Sequence, residues 1–185
     1  GDDEIRGNGG NDRLYGEPGE DEIRGGKGAD RMWGGPDDDF IYSTRGKDRI
    51  WGDDGDDFIR VSSAERVRVR GGEGEDEMHF FSANVIVTGG SGDDDFVVLH
   101  DGNGTEFVPS RARITDFAPG DALIIKTREF NFNETTTPEQ SGPDVIIRGP
   151  GGLEVILQNV EVGDLRKDID VNLAGQESEN IYVFV

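Results

Sequence analysis

Nine aspartates share one frame along the first half of the chain: Asp3, Asp12, Asp21, Asp30, Asp39, Asp48, Asp57, Asp76 and Asp94. Two places after each stands an apolar residue. Ile5, Leu14, Ile23, Met32, Ile41, Ile50 and Ile59 recur nine residues apart, and after one extra residue the series resumes at Val69, Met78, Val87 and Phe96. Glycines lead into the aspartates, as in GGKGADRMW (25–33), GGEGEDEMH (71–79) and GGSGDDDFV (89–97). One Asp in a polar turn is ordinarily a solvated turn residue, but nine in register make a repeat with the form G-G-x-G-x-D-x-U-x. Carboxylates and carbonyls freed by glycine suit a hard cation, and calcium takes about six to eight such oxygens at roughly 2.3–2.6 Å.

Other chemistry is poorly represented. His79 and His100 are the only histidines, and no H-E-x-x-H or cysteine frame supports zinc. His79 ends a repeat strand and reads as an exposed rung. Neither a G-x-S-x-G elbow nor a phosphate loop is present. The paired carboxylates stack too regularly for a glycosidic site, so no catalytic residue is assigned and the segment reads as not itself an enzyme. Asn103 and Asn133 open weak glycosylation sequons. The absence of cysteine removes disulfides and thiolate chemistry.

Composition agrees. Only 32% of the 185 residues are apolar, and 40 acids face 19 bases for a formal charge of −21. Such a chain approaches the disordered class unless something neutralises it. Nucleic acid is excluded as a partner because phosphates call for Lys and Arg. Without an apolar run of 18 residues or an obvious leader, neither a membrane span nor a signal peptide is read.

The repeat resembles that of the RTX (repeats-in-toxin) calcium-binding family, which includes secreted haemolysins, serralysin-type proteases, lipases and alginate epimerase modules. The likeness covers residues 1–98 directly. It implies an all-β fold: a parallel β-roll in which each nonapeptide gives a six-residue loop and a three-residue strand. Two nonapeptides complete one coil, so alternate loops line opposite edges. One edge then carries Asp3, Asp21, Asp39, Asp57, Asp76 and Asp94, with five gaps between neighbours. The other carries Asp12, Asp30 and Asp48, with two gaps, and then changes character. Its aspartate positions become Val67 and Val85, in loops SSAERV (62–67) and FFSANV (80–85), where apolar packing replaces the cation. Expected ligands are these nine aspartates with backbone carbonyls of loops at Gly7, Gly16, Gly25, Gly34, Gly52, Gly71 and Gly89, holding about seven Ca2+ ions. Pro18 and Pro36 keep their carbonyls. STRGKD (43–48) lacks the leading glycines, which weakens the site using Asp48.

A composition change near 98–105 divides the chain. Residues 1–98 hold 25 acids and 20 glycines, whereas 99–185 hold 15 and 9. The second part reads as a β-strand-rich cap, with HDGNGT (100–105) as connector. RARITDFAPGDALIIK (111–126) resembles the segment that follows the roll in serralysin-like and epimerase-like members. DVIIRG (144–149) and LEVILQNV (153–160) predict a hairpin, residues 127–143 a long loop, and DLRKDI (164–169) one helical turn. The ending 179–185, acidic then apolar, resembles an uncleaved type I secretion signal and equally suits an edge strand. The implied role is a calcium-dependent folding and secretion module of a larger secreted, extracellular protein, since the chain begins inside a repeat. Its expected partners are calcium, the type I secretion apparatus and an upstream catalytic or toxin domain. The alternative is a polysaccharide- or partner-binding module, because Arg13, Arg31, Arg49 and Arg68 run beside Tyr15, Trp33 and Trp51 and suit an anionic sugar chain.

Overall fold

The computed structural model describes residues 1–63, 65–81, 84–101, 111–128, 137–149, 152–171 and 177–184. Both sequons and residues 102–105 of the connector lie outside them. The nine-residue period sets the architecture. A strand of three residues buries only its middle side chain, because its neighbours point to the opposite face. The Gly/Asp loop then turns the chain, and the next strand joins the opposite sheet.

Two sheets result, each of nine strands. The first runs β1 (Glu4–Arg6), β3 (Glu22–Arg24), β5 (Phe40–Ser43), β7 (Phe58–Val61), β9 (Glu77–Phe81), β11 (Asp95–Asp101), β13 (Ala122–Arg128), β18 (Glu177–Phe184) and β17 (Leu165–Val171). The second runs β2 (Arg13–Tyr15), β4 (Arg31–Pro36), β6 (Arg49–Asp54), β8 (Arg66–Glu73), β10 (Asn84–Ser91), β12 (Arg111–Ile114), β16 (Glu154–Leu157), β15 (Asp144–Arg148) and β14 (Thr137–Ser141). Strands β1 to β13 pair in parallel, with Ile5 opposite Ile23 and Leu14 opposite Met32. The extra residue between β7 and β8 lets Ile59 meet Met78 and Ile50 meet Val69 without loss of register. The protein is thus an all-β parallel β-roll, and no α-helix occurs among the described residues.

The apolar ladder forms the interior as the period requires. Ile23, Met32, Ile41, Ile50, Ile59, Met78, Val87 and Phe96 are buried, while Ile5 and Leu14 at the open end are only partly covered. The core does not stop with the nonapeptides. Ile114, Leu123, Val155 and Leu157 continue it into one cluster with the roll.

The predicted hairpin is present as β15 and β16, with Val145 opposite Leu157. Two expectations for the cap need correction. Within the expected 127–143 loop, Thr137–Ser141 is a strand on β15, while Thr127 and Arg128 end β13. Pro138 hid β14 from the sequence, since proline is tolerated only where a strand lies at a sheet margin. DLRKDI is not a helical turn: Val162–Asp164 is a short 3-10 turn, and Leu165 onward is β17. The open hydrogen-bonding side of β18 overrides a weak local preference there. Of the ending, residues 179–184 lie in a strand, and it is an inner one. β18 lies antiparallel between β13 and β17.

Candidate metal centres along two loop columns

Each column is built from one repeated hydrogen bond. The Asp backbone N–H donates to Oδ1 of the Asp one coil later: Asp3 to Asp21 at 2.6 Å, Asp21 to Asp39 at 2.8 Å, Asp39 to Asp57 at 2.9 Å. Asp57 to Asp76 at 3.0 Å and Asp76 to Asp94 at 3.1 Å continue it. On the other edge Asp12 donates to Asp30 and Asp30 to Asp48, each at 2.9 Å. This bond fixes one carboxylate oxygen and turns the other inward. Oδ2 of Asp12, Asp21, Asp30, Asp39, Asp57 and Asp76 is buried without any hydrogen-bond partner. A buried, unpaired carboxylate oxygen costs several kcal/mol unless a proton or cation meets it.

Carbonyls converge on the same points. A Cβ built on Gly16, Gly34, Gly52 or Gly71 would lie 1.9–2.4 Å from Oδ2 of its own loop's Asp. It would also lie 2.4–2.7 Å from the carbonyl oxygen of the next coil's opening glycine: Gly34, Gly52, Gly71 and Gly89 in turn. Gly7 is similarly placed against the Gly25 carbonyl and Asp12 Oδ2. The leading glycine therefore keeps open a space where a carboxylate oxygen and a carbonyl oxygen meet. A later glycine has a different task. Gly28 has φ +131°, and a Cβ there would sit 1.6 Å from the Gly10 carbonyl oxygen, so coils can stack only if that position is bare.

Burial and crowding move four carboxylates of the longer column away from their ordinary acidity. Burial pushes Asp57 up to about 8, Asp94 to about 7, and Asp39 and Asp76 to about 6. The neighbouring aspartate charges raise Asp39, Asp57 and Asp94 further, while the ladder hydrogen bonds oppose the shifts. No three His, Asp or Glu side chains converge on one point among the described residues. One or two carboxylates plus backbone carbonyls is instead the donor set here, oxygen throughout. That set fits calcium, which accepts carbonyls and irregular cages. When bound, the ion would supply the positive charge that the inward oxygens lack.

Both columns end in groups the protein supplies itself. At the end of the shorter one, the Ser43 hydroxyl donates to Asp48 Oδ2. Ser43 replaces the leading glycine of STRGKD, so the departure from the motif marks where the column closes. Beyond it Val67, Val85 and Ala112 occupy the aspartate register and are buried, and Ser63 exchanges hydrogen bonds with the Gly46 backbone. The expected apolar replacement on that edge is what the structure contains.

At the far end of the longer column lies Asp121, a residue outside the series of nine aspartates. Asp121 accepts the Asp94 N–H on Oδ1 at 3.1 Å and the Ala118 N–H on Oδ2 at 2.7 Å. Asp116 likewise accepts the Gly89 N–H at 3.0 Å. A signal for Asp121 existed: Asp121-Ala122-Leu123 keeps the Asp two places before a core residue. Its step from Asp94 is 27 residues rather than 18, so a fixed period passes over it. His79 faces outward as expected, its ring nitrogen 2.6 Å from Glu77.

Where the aspartate frame holds, inward carboxylate oxygens meet glycine carbonyls on a parallel β-roll, the arrangement of a calcium-binding solenoid. The family model for the RTX calcium-binding nonapeptide repeat (4 copies) matches residues 1–32 and again 33–63. Residues 1–63 are therefore matched as RTX calcium-binding repeats, and the same frame runs on in the sequence to Phe96. No curated protein matches the sequence.

Proposed function

We propose that the chain is a calcium-dependent folding and secretion module, a roll over 1–98 with a cap over 99–185, within a larger extracellular protein. The observation that carries this is the set of six buried, unpartnered Oδ2 atoms. They fall at six of the seven gaps between successive aspartates, and the seventh, Asp3–Asp21, lies at the exposed end of the roll. About seven ions would occupy these gaps, held by Asp3, Asp21, Asp39, Asp57, Asp76 and Asp94 on one edge and Asp12, Asp30 and Asp48 on the other. Seven divalent ions would take the net charge from −21 to −7. No enzymatic residue is assigned to the segment, and no described helix is long and apolar enough to cross a membrane.

Circular dichroism in chelator and then in millimolar calcium tests the folding role, with ion stoichiometry read by native mass spectrometry. A largely unstructured spectrum should become β on calcium addition, with magnesium a poor substitute because it demands a tight octahedron and holds its waters. A full β spectrum in chelator would refute the reading. The secretion role follows from the calcium gradient: a chain unfolded in the cytosol and folded outside moves in one direction. Deleting 181–185 from the exported parent should leave it inside the producing cell. Normal export of that truncation leaves the ending as a cap strand alone.

A further inference from the structure

The outer faces of the two sheets differ in how their charges are met. Within the roll, the odd-numbered sheet pairs Arg6 with Glu4, Arg24 with Glu4 and Glu22, and His79 with Glu77, while Arg60 lies over the Phe81 ring. Among the described residues, acid partners on the even-numbered sheet are found only in the cap, for Arg111 and Arg148. On the even-numbered sheet the positions before the buried residue are Arg13, Arg31, Arg49 and Arg68, in one register. Those after it are Tyr15, Trp33, Trp51 and Arg70. None of these eight is an acid, and none of the five arginines makes an ion pair among the described residues. A molecule with a charge of −21 thus keeps a column of unmatched guanidinium groups at coil spacing, about 4.8 Å.

The aromatic column is stacked on itself. Tyr15 and Trp33 have centroids 4.5 Å apart at 6°, and Trp33 and Trp51 4.8 Å apart at 4°. Both faces of Trp33 are therefore covered by neighbouring rings. What the column offers outward is ring edges, which carry the positive end of the quadrupole, and indole N–H donors. Beside it a groove of about 330 Å³ is lined by Arg13, Arg31, Lys47 and Arg49, with Asp12 and Asp30 also at its wall. The eight outward positions themselves carry donors and no carboxylate.

We propose that this face binds a linear polysaccharide bearing carboxylates, a polyuronate, laid across the strands along the arginine column. A guanidinium fork matches a carboxylate in two parallel hydrogen bonds, and the sugar hydroxyls supply the acceptors that the indole edges need. A single-stranded nucleic acid fits less well. Its bases bind by stacking on free aromatic faces, which the ladder has already used, and its denser phosphates meet the repulsion of the remaining net charge. The proposal needs the calcium-loaded fold but not the secretion role, so folding is checked separately by circular dichroism in every sample.

Trp33 and Trp51 are the only tryptophans, so intrinsic fluorescence reports this face directly. Short oligogalacturonates titrated into the calcium-loaded chain should give a saturable emission change that weakens with salt. The Arg31→Ala/Arg49→Ala variant should bind at least tenfold more weakly, while Arg6→Ala/Arg24→Ala on the other sheet should bind as wild type. Fully methyl-esterified oligomers should not bind. Equal binding by the Arg31/Arg49 variant overturns the proposal, since calcium bridging to the acidic loops would then explain the signal. So does tighter binding of oligo-dT or polyglutamate, equal binding of the esterified oligomer, or no saturable change at all. If the double variant fails to fold, wild type against charged and esterified oligomers still decides the matter.

Discussion

Ser43 shows how much one atom settles in a column of like charges. Six aspartates turn an unpaired Oδ2 inward, whereas at Asp48 the Ser43 hydroxyl donates to it. A hydroxyl contributes a hydrogen bond but no charge, so this end of the column is held without a cation. Ser43→Ala should leave a buried carboxylate oxygen unmatched and cost about 1–3 kcal/mol, with the number of bound ions unchanged. Asp76→Ala should act in the opposite way. It removes a carboxylate standing between two proposed ions, so the calcium midpoint for folding should rise and the ion count should fall by at least one. Calcium titration followed by circular dichroism, with native mass spectrometry for the count, distinguishes the two. An unchanged ion count in Asp76→Ala would remove Asp76 from the ligand set.

At the scale of strands and loops, the two edges of the roll use different means to the same end. The longer column relies on oxygen cages, while the shorter one passes to Val67 and Val85, both buried. Val67→Ala and Val85→Ala should each cost about 1–3 kcal/mol through lost burial and incomplete collapse, and neither should alter calcium stoichiometry. A drop in ion number in either variant would contradict the division. The roll itself was legible because its period is short and rigid: each three-residue strand has one inward place, and Ile23 to Phe96 fill it. The change at Val67 was legible for the same reason, since an apolar residue in an aspartate position breaks a counted frame. Asp121 was hidden by a 27-residue step, although its relation to Leu123 kept the local rule. β14 and β17 were hidden because their pairing depends on β15 and β18, distant in sequence, and Pro138 or a run of charges masks any local strand pattern. Local periodicity encodes the roll, and long-range pairing encodes the cap.

For the molecule as a whole, protons would compete with the proposed cations for the same inward oxygens, and their titration gives the metal-free chain an unusual pH dependence. Burial raises Asp57 to about 8, Asp94 to about 7, and Asp39 and Asp76 to about 6, from an ordinary value of 3.8. Asp48 and Asp121 move in the same direction for the same cause. A carboxyl whose acidity is weakened by folding binds its proton more tightly in the folded state. Its contribution to stability is then fully present below the unfolded value and is lost as pH rises through the folded one. The folded chain without calcium should accordingly be most stable near pH 4, and should lose stability between about pH 6 and 8 as these groups ionise together. In chelator, lowering the pH from 8.5 to about 4.5 should raise the β signal and the melting temperature, the reverse of ordinary acid denaturation. Calcium at the proposed sites would replace those protons, so its binding should release protons across the same interval and its apparent affinity should fall as the solution is acidified. Calorimetry in buffers of different ionisation enthalpy measures that release directly. Metal-free protein that is less structured at pH 4.5 than at 8.5, together with calcium binding that releases no protons at pH 7, would show that the inward oxygens are not the shared site of proton and cation.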